Sequence, residues 1–126
     1  MERYNWADID EERLNAVLSR RAVHAQQTTV ARVTALKGAV VPLHQHLSEQ
    51  ITMMESGVLR FDFPSDAEAG EFILRAGDIL VIPPHMPHRV EALEDSVAME
   101  LFSPAREDWI RGDDGYLRES APDPVL

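Results

Sequence analysis

Cysteine is absent from this chain of 126 residues. Its absence excludes disulfide frameworks, zinc ribbons, iron–sulfur clusters and catalytic thiols. A metal site in this sequence would therefore have to use histidine and oxygen ligands, and five histidines are available.

Positive charge is scarce as well. The chain has 12 Lys plus Arg against 22 Asp plus Glu, a formal net charge of −10. Such a charge repels a phosphate backbone unless basic residues are segregated on one face. No stretch of the sequence shows that segregation, so we expect no nucleic-acid partner.

Long apolar runs are also missing. No segment approaches the roughly 20 consecutive apolar residues of a membrane-spanning helix, and the amino-terminal residues lack the apolar segment of a signal peptide. We therefore expect a cytoplasmic protein with no membrane partner.

The length and the 44% content of apolar residues predict one domain, residues 1–126.

Nine short segments are rich in Val, Ile, Leu or Phe and are separated by turn residues. The alternation is clearest where Leu59, Phe61 and Phe63 interleave with Arg60 and Asp62, which gives a strand one buried and one wet face. Because no long helix separates the segments, they predict an all-β antiparallel sandwich or closed barrel. The segments are residues 17–25, 28–36, 39–44, 50–54, 58–63, 71–75, 78–84, 88–93 and 96–102.

Irregular structure is expected at both ends. Asp8 can cap a short helical turn over residues 9–14. Pro104 ends the last strand, and the segment after it should form a turn of helix or a packed extension. Residues 120–126 are expected to be loosely held. The apolar anchors of the extension would be Trp109, Ile110, Tyr116 and Leu117.

Two histidines stand at His44 and His46, and on a strand this spacing places both imidazoles on the same face, close enough to chelate one cation. Gln50 adds an oxygen donor four positions later. The alternative is that these are ordinary polar residues on a wet face.

A third histidine can return to the same place. Residues 77–88 predict a turn, a buried strand, a proline-rich corner and then His88. The alternative is that His88 is a plain histidine at a strand start. His24 lies in an early strand and is expected to be structural. His85, beside Pro84, could touch a ligand or simply face water.

Together the two histidine segments resemble the two motifs of the cupin superfamily, over a motif core of about residues 38–102. In the second motif Gly77, Pro83 and His88 match, while His85 stands at the usual glycine and Ala92 at the usual asparagine. The resemblance implies a single-domain jelly-roll barrel, also called a double-stranded β-helix. The first motif keeps all its spacings, with Gln50 at its acidic position, at Gly38, His44, His46, Gln50 and Gly57.

A narrower resemblance is to the small single-domain cupins called pectin degradation proteins, the KdgF family. It is carried by the runs HQHLSEQIT, VIPPHMPH, ALEDSV and MELFSPAREDWIRG. It implies a divalent metal held by His44, His46, Gln50 and His88, and a pocket built from an acid, an aromatic residue and an arginine. By position the pocket residues are Glu100, Phe102 and Arg106. The family's acid is commonly aspartate, so Glu100 differs by one methylene.

The residues themselves leave the roles of this pocket open. Strand alternation allows Glu100 to point into the barrel, where it could move a proton, or outward into solvent. Arg106 can hold a substrate or pair with Glu107 or Asp108, and Phe102 can be core or a sugar platform.

The function that the resemblance implies is metal-dependent ring opening of 4,5-unsaturated uronates to open-chain keto-uronates, with a small anionic sugar as partner. The metal would be one divalent transition ion: Ni, Zn, Fe or Mn. Three neutral imidazoles and an amide oxygen would leave that ion its full positive charge, which suits a bidentate anion. The rivals are a metal-cupin dioxygenase or other metal-cupin enzyme acting on an enolised substrate, and a non-catalytic sugar-binding cupin.

We also expect a homodimer. An open antiparallel barrel leaves strand edges, and the strand near residues 18–23 is apolar enough to pair or pack across a two-fold axis.

Overall fold

The computed structural model describes residues 1–118, which form two antiparallel sheets that face each other. The order in the six-stranded sheet is β1-β2-β3-β10-β5-β8, and in the four-stranded sheet it is β4-β9-β6-β7. The strands are β1 Glu12–Arg13, β2 Leu18–His24, β3 Thr29–Ala35, β4 Val40–His44, β5 Glu49–Ser56, β6 Val58–Phe63, β7 Gly70–Arg75, β8 Ile79–Ile82, β9 His88–Ala92 and β10 Ser96–Ser103.

Strands far apart in sequence lie side by side, because β10 runs between β3 and β5. This winding is that of a jelly roll and confirms the predicted all-β fold, with β2 to β10 corresponding to the nine predicted segments. Leu59, Phe61 and Phe63 of β6 are buried while Arg60 and Asp62 remain partly exposed. The core therefore fills the space between the sheets.

The register of β10 decides what faces the interior. Glu100 pairs with Ala31 of β3 on one side and with Thr52 of β5 on the other. All three side chains are buried, so this row of the sheet points into the barrel. Two residues on, Phe102 pairs with Gln50 in the same way.

The amino-terminal helical turn lies earlier than predicted. A 3-10 turn spans Trp6–Asp8 and is capped by the side chain of Asn5, not by Asp8. The prediction of helix over residues 9–14 is wrong, because Glu12–Arg13 forms β1 against β2. A helix of one turn has almost no intrinsic stability, whereas strand pairing satisfies the backbone and lets Leu14 enter the core.

A C-terminal extension, residues 104–118, packs against the barrel and contains helices α1, Glu107–Arg111, and α2, Gly115–Arg118. Leu117 is buried in the core, and Trp109 and Tyr116 pack against it. Ile110 is 51% exposed, so it is not the anchor that the sequence predicted.

The prediction for residues 120–126 lies outside the described residues. Within residues 1–118, no helix has the length and apolar character that crossing a membrane requires.

Candidate metal centre

The fold brings three histidines to one point of the barrel wall. His44 ends β4 and is paired in register with His88, the first residue of β9, while His46 follows β4 in the next loop. One ring nitrogen from each lies within 4.8 Å of the other two. The ring centroids of His44 and His88 are 4.2 Å apart. Within the described residues, this is the cluster that could hold a metal ion.

Backbone carbonyls fix the tautomer of each ring. The Nδ1 atoms of His44, His46 and His88 lie 2.9, 2.8 and 2.7 Å from the carbonyl oxygens of Pro42, Ser48 and Met86. A carbonyl oxygen only accepts, so each Nδ1 carries the hydrogen. Each Nε2 is left with a free lone pair, the form in which imidazole binds metals.

Burial keeps these rings neutral. It lowers the pKa of His44 to about 3, and repulsion from a proton on neighbouring His88 would lower it in the same direction. Burial likewise lowers the pKa of His88 to about 4 and lowers the pKa of His46. Three uncharged nitrogen donors are therefore present at neutral pH.

Two observations fit a cation at this point. The Nε2 atom of His88 is buried and has no hydrogen-bond partner among residues 1–118. The Nε2 atom of His46 lies 3.0 Å from Oε1 of Gln50. With the hydrogen of His46 on Nδ1, these two atoms are both acceptors, and a cation between the ligand groups satisfies both.

The amide of Gln50 is oriented by its nitrogen, which donates to Oγ1 of Thr52 at 3.0 Å and to Oε2 of Glu100 at 3.1 Å. Because both contacts are made by the nitrogen, Oε1 faces the histidines. Gln50 thus links the histidine cluster to the acid on the neighbouring strand.

Glu100 points inward, which decides between its two predicted orientations. It is 8% exposed, and Oε2 accepts hydrogen bonds from Gln50 and from the Thr52 hydroxyl, the latter at 2.5 Å. Burial raises the pKa of Glu100 to about 7, although the hydrogen bonds from Thr52 and Gln50 oppose the rise. Near neutral pH this carboxyl group is present in both protonation states, as general acid–base chemistry requires.

Arg106 is buried and makes a bidentate pair with Asp108, at 2.9 and 2.8 Å, rather than with Glu107. Its Nη2 also donates to the hydroxyl of Tyr116 at 2.5 Å. The guanidinium carbon lies 4.7 Å from the ring centroid of Phe102. Phe102 is itself 3% exposed and packs edge-on to His46.

A partly open cavity of about 80 Å³ lies between these side chains. Its walls include most of the predicted site residues, namely His44, Gln50, His88, Glu100, Phe102 and Arg106. His46 lies instead on an outer groove between the loop after β4 and the C-terminal extension. Arg106 lines both spaces and stands between them.

The other two histidines lie outside the cluster. Nδ1 of His24 is 2.8 Å from Oγ1 of Thr29, which accepts the backbone N–H of Arg106. His85 is exposed and has a φ of 61°, a left-handed conformation that favours glycine. Its backbone N–H donates to the carbonyl of His46 at 2.8 Å, so the corner after β8 is tied to the metal-binding loop.

Sequence reasoning missed three residues of the site. Arg20 and Tyr116 line the cavity, and Tyr116 was expected only as an anchor; Thr52 donates a hydrogen bond to Glu100. A signal existed for two of them. Thr52 follows Gln50 by two positions and so shares its face, and Arg20 follows Leu18 in the same way. Tyr116 carried no such signal, because its place depends on how the extension folds back.

Comparison with known proteins agrees with the geometry. A family model described as the cupin domain matches residues 31–103. The structure of KdgF from Halomonas sp. is 30% identical, covers 82% of this chain and 94% of its own, and superposes with a TM-score of 0.71. No curated protein sequence matches the chain.

Two more distant structures agree in fold. An RmlC-like cupin from Shewanella frigidimarina NCIMB 400 is 23% identical, covers 86% of this chain and 96% of its own, with a TM-score of 0.75. Oxalate decarboxylase from Bacillus subtilis, a protein with Mn(II) centres, is 22% identical with a TM-score of 0.67, over 80% of this chain and 29% of the decarboxylase. From the domain match and the jelly-roll architecture together, the chain belongs to the cupin family.

Proposed function

We propose that this cupin is a metal-dependent enzyme that opens the ring of 4,5-unsaturated uronates, giving open-chain keto-uronates in the degradation of pectin- or alginate-type polysaccharides. The observation that carries the proposal is Glu100, a buried carboxyl group with a pKa raised to about 7, in the same cavity as His44 and His88. The similarity to KdgF supports the choice of substrate.

The metal would be held by His44, His46, Gln50 and His88, and Ni, Zn, Fe and Mn all accept this set of ligands. A divalent ion held there would supply a Lewis acid and a binding site for the substrate carboxylate. Because none of the four ligands carries a negative charge, the site attracts an anion despite the net charge of −10 of the whole chain.

Glu100 provides the proton transfer. Ring opening breaks the bond between C1 and the ring oxygen while the C1 hydroxyl loses its proton. The bonding electrons stay on the ring oxygen, which becomes an enolate on C5, and this enolate becomes the C5 ketone when C4 gains a proton. No atom is gained or lost overall, so one group that accepts a proton and returns it is sufficient. A carboxyl group with a pKa of about 7 can do both near neutral pH.

Arg106 and Phe102 complete the pocket. Arg106 is already paired with one carboxylate, that of Asp108, so a uronate carboxylate can replace Asp108 on the same guanidinium fork. Phe102 offers its ring to the apolar face of the sugar next to this fork.

The C-terminal extension borders the space that a sugar would enter. Trp109 and Tyr116 of the extension form part of the wall of the cavity.

The test is to add 4,5-unsaturated galacturonate and mannuronate monomers to the metal-loaded protein and to follow loss of the conjugated chromophore by absorbance. Loss without oxygen consumption is expected. Loss with oxygen consumption would identify a dioxygenase, and sugar binding without loss would identify a binding protein. The chelated protein is the control and should be inactive.

We further propose that the protein is a homodimer. The outer face of the six-stranded sheet carries an apolar band in one register row, formed by Val23, Val30, Leu101, Ile51 and Val81. Leu18 is not part of that surface, because it faces the core. The dimer surface is therefore better placed on the sheet face than on the edge near residues 18–23.

Light scattering tests the dimer. Val81 is 56% exposed, and Val81→Glu in the band should shift the mass toward the monomer. Leu47→Glu, at a 64% exposed leucine outside the band, should not. A wild-type monomer mass at all concentrations would contradict the proposal.

A further inference from the structure

Arg20 lies on the inner face of β2 and is 3% exposed. It lines the same cavity as Glu100 and His88. Two of its three nitrogens are occupied: Nε and Nη2 donate to Oε2 of Glu12 at 3.1 and 2.8 Å, and Nη2 also donates to Oδ2 of Asp114 at 2.5 Å.

The third nitrogen, Nη1, is different. It is buried and has no hydrogen-bond partner within residues 1–118. A buried donor left unpaired costs about 1–3 kcal/mol, and more when it is charged. Its hydrogens therefore favour an oxygen that enters the cavity from outside the chain.

A second unpaired atom belongs to the same cavity, because Nε2 of His88 is also buried without a partner among the described residues. The two atoms differ in chemistry: one is a lone pair suited to a cation, and the other carries hydrogens suited to an oxygen. A ligand held at the metal centre and extending toward β2 would bring an oxygen to the hydrogens on Nη1 of Arg20.

The charges around Arg20 indicate which kind of oxygen fits. Arg20 and Arg118 both contact Glu12 and Asp114. These two cations and two anions sum to zero, so a further carboxylate would bring an uncompensated charge into a buried space. A hydroxyl or carbonyl oxygen brings none.

The direction of the donor is also fixed. The guanidinium carbon of Arg20 lies 4.1 Å from the ring centroid of Trp109, and the two carboxylates hold its other edge. A guanidinium restrained on its face and on one edge presents Nη1 in a single direction. Such a donor selects ligands by the position of their oxygen, because an oxygen placed elsewhere on the ligand cannot accept its hydrogen bond.

We propose that Arg20 is a specificity-determining residue of this site, which binds through Nη1 a neutral oxygen, hydroxyl or carbonyl, of a polyhydroxylated acid whose carboxylate is held at the metal centre and Arg106. The inference rests on the proposed function for its ligand class. It assigns the carboxylate and the neutral oxygens of the ligand to different arginines.

The experiment measures binding by calorimetry to the metal-loaded, full-length protein, so that no turnover is needed. The probes are D-galacturonate, which carries hydroxyl groups, and succinate, which carries none. Arg20→Lys keeps a cation for Glu12 and Asp114 but removes Nη1. We expect it to weaken D-galacturonate binding by about 10- to 100-fold, the loss of a hydrogen bond to a charged donor, and succinate binding by less than threefold.

The matched control is Arg118→Lys, which alters the ion pairs with the same two carboxylates, Glu12 and Asp114, and leaves Nη1 of Arg20 and its own partners in place. It should change neither affinity by more than threefold. Equal effects of the two variants, an equal loss for both acids in Arg20→Lys, or no binding of D-galacturonate to the wild type would each overturn the proposal.

Two further measurements keep the outcomes separate. If Arg20→Lys does not fold, nuclear magnetic resonance of isotope-labelled arginine in the wild type replaces it: the Nη1 signal of Arg20 should shift with D-galacturonate and not with succinate, and no difference would overturn the proposal. The absorbance assay with unsaturated uronates tests the proposed function on its own. Binding that depends on Arg20 but is not followed by turnover would support the role of Arg20 and reject the proposed function. Turnover by the wild type, with unchanged binding of D-galacturonate to Arg20→Lys, would support the proposed function and reject the role of Arg20.

Discussion

The barrel wall and the C-terminal extension enclose one cavity, but different kinds of bond hold their functional side chains. In the wall, His44, His46 and His88 are oriented by backbone carbonyls. In the extension, Arg106 and Asp114 are held by ion pairs between side chains. The comparison teaches that the metal centre and the enclosure of the ligand can be disrupted separately.

The largest effect is expected in the wall. Replacing His44, His46 or His88 by Ala removes one nitrogen donor and should abolish stoichiometric metal binding. His24→Ala is the matched control, because His24 contacts Thr29 instead, and it should retain metal. Elemental analysis of the purified proteins measures this, and full metal occupancy in all three variants would contradict the site.

The second prediction distinguishes the role of Glu100 in turnover from the binding of the metal. Glu100→Gln removes the proton but keeps the size of the side chain, so turnover of an unsaturated uronate should fall by about 100-fold or more while metal content stays the same. Glu100→Asp, which keeps an ionisable carboxyl group one methylene closer to the backbone, should keep more activity than Gln. Equal rates for Gln and wild type, with metal content verified, would exclude proton transfer by Glu100.

The pH dependence of the free energy of unfolding tests whether Glu100 is buried in its neutral form. The pKa of Glu100 is raised by burial from 4.5 to about 7 in the folded chain. The folded state therefore binds the proton more tightly, and this stabilisation is complete below pH 4.5 and is lost as the pH rises through 7. The free energy of unfolding of the chelated wild type, relative to Glu100→Gln, should fall by roughly 3 kcal/mol across this window.

The histidines act in the opposite direction, because the pKa values of His44 and His88 are lowered to about 3 and about 4. Their contribution is lost as the pH falls below the usual value of 6.5. The histidine contribution is the same in the wild type and in Glu100→Gln, so it cancels in the difference between their free energies of unfolding. Denaturant titrations at several pH values measure that difference. A difference independent of pH would show that Glu100 is not buried in its neutral form.

The smallest effect tests the extension alone. Asp114→Asn weakens the pair with Arg20 that ties the extension to β2, and should lower the free energy of unfolding by about 2 kcal/mol without changing metal content. Thermal melting followed together with elemental analysis checks both halves. Loss of metal in this variant would mean that wall and extension are not separable.

The sequence was sufficient for the wall because its signals are local. Strand alternation and turn residues predict β2 to β10, and the resemblance of the two histidine segments to the cupin motifs predicts that His44, His46 and His88 meet. Glu100 could not be placed in this way. Both faces of its strand are apolar apart from the acid, so its direction depends on the register of β10 against β3 and β5.

The extension escaped prediction for a related reason. The pair between Arg20 and Asp114 joins positions 94 residues apart, and no local pattern connects them. Ile110 and Tyr116 look equally apolar in the sequence, yet Ile110 is half exposed and Tyr116 packs on His44. Which of them is buried depends on how the short helices α1 and α2 fold back over the barrel.

The hydrogen bonds from the histidine Nδ1 atoms to backbone carbonyls have a consequence for evolution. Every residue has a carbonyl, so no substitution at Pro42, Ser48 or Met86 can delete the acceptor that orients a ring. The side chains of Arg20 and Arg106 line the cavity and make no hydrogen bond to these imidazoles. Descendants of this chain can therefore vary the substrate while inheriting the same metal centre.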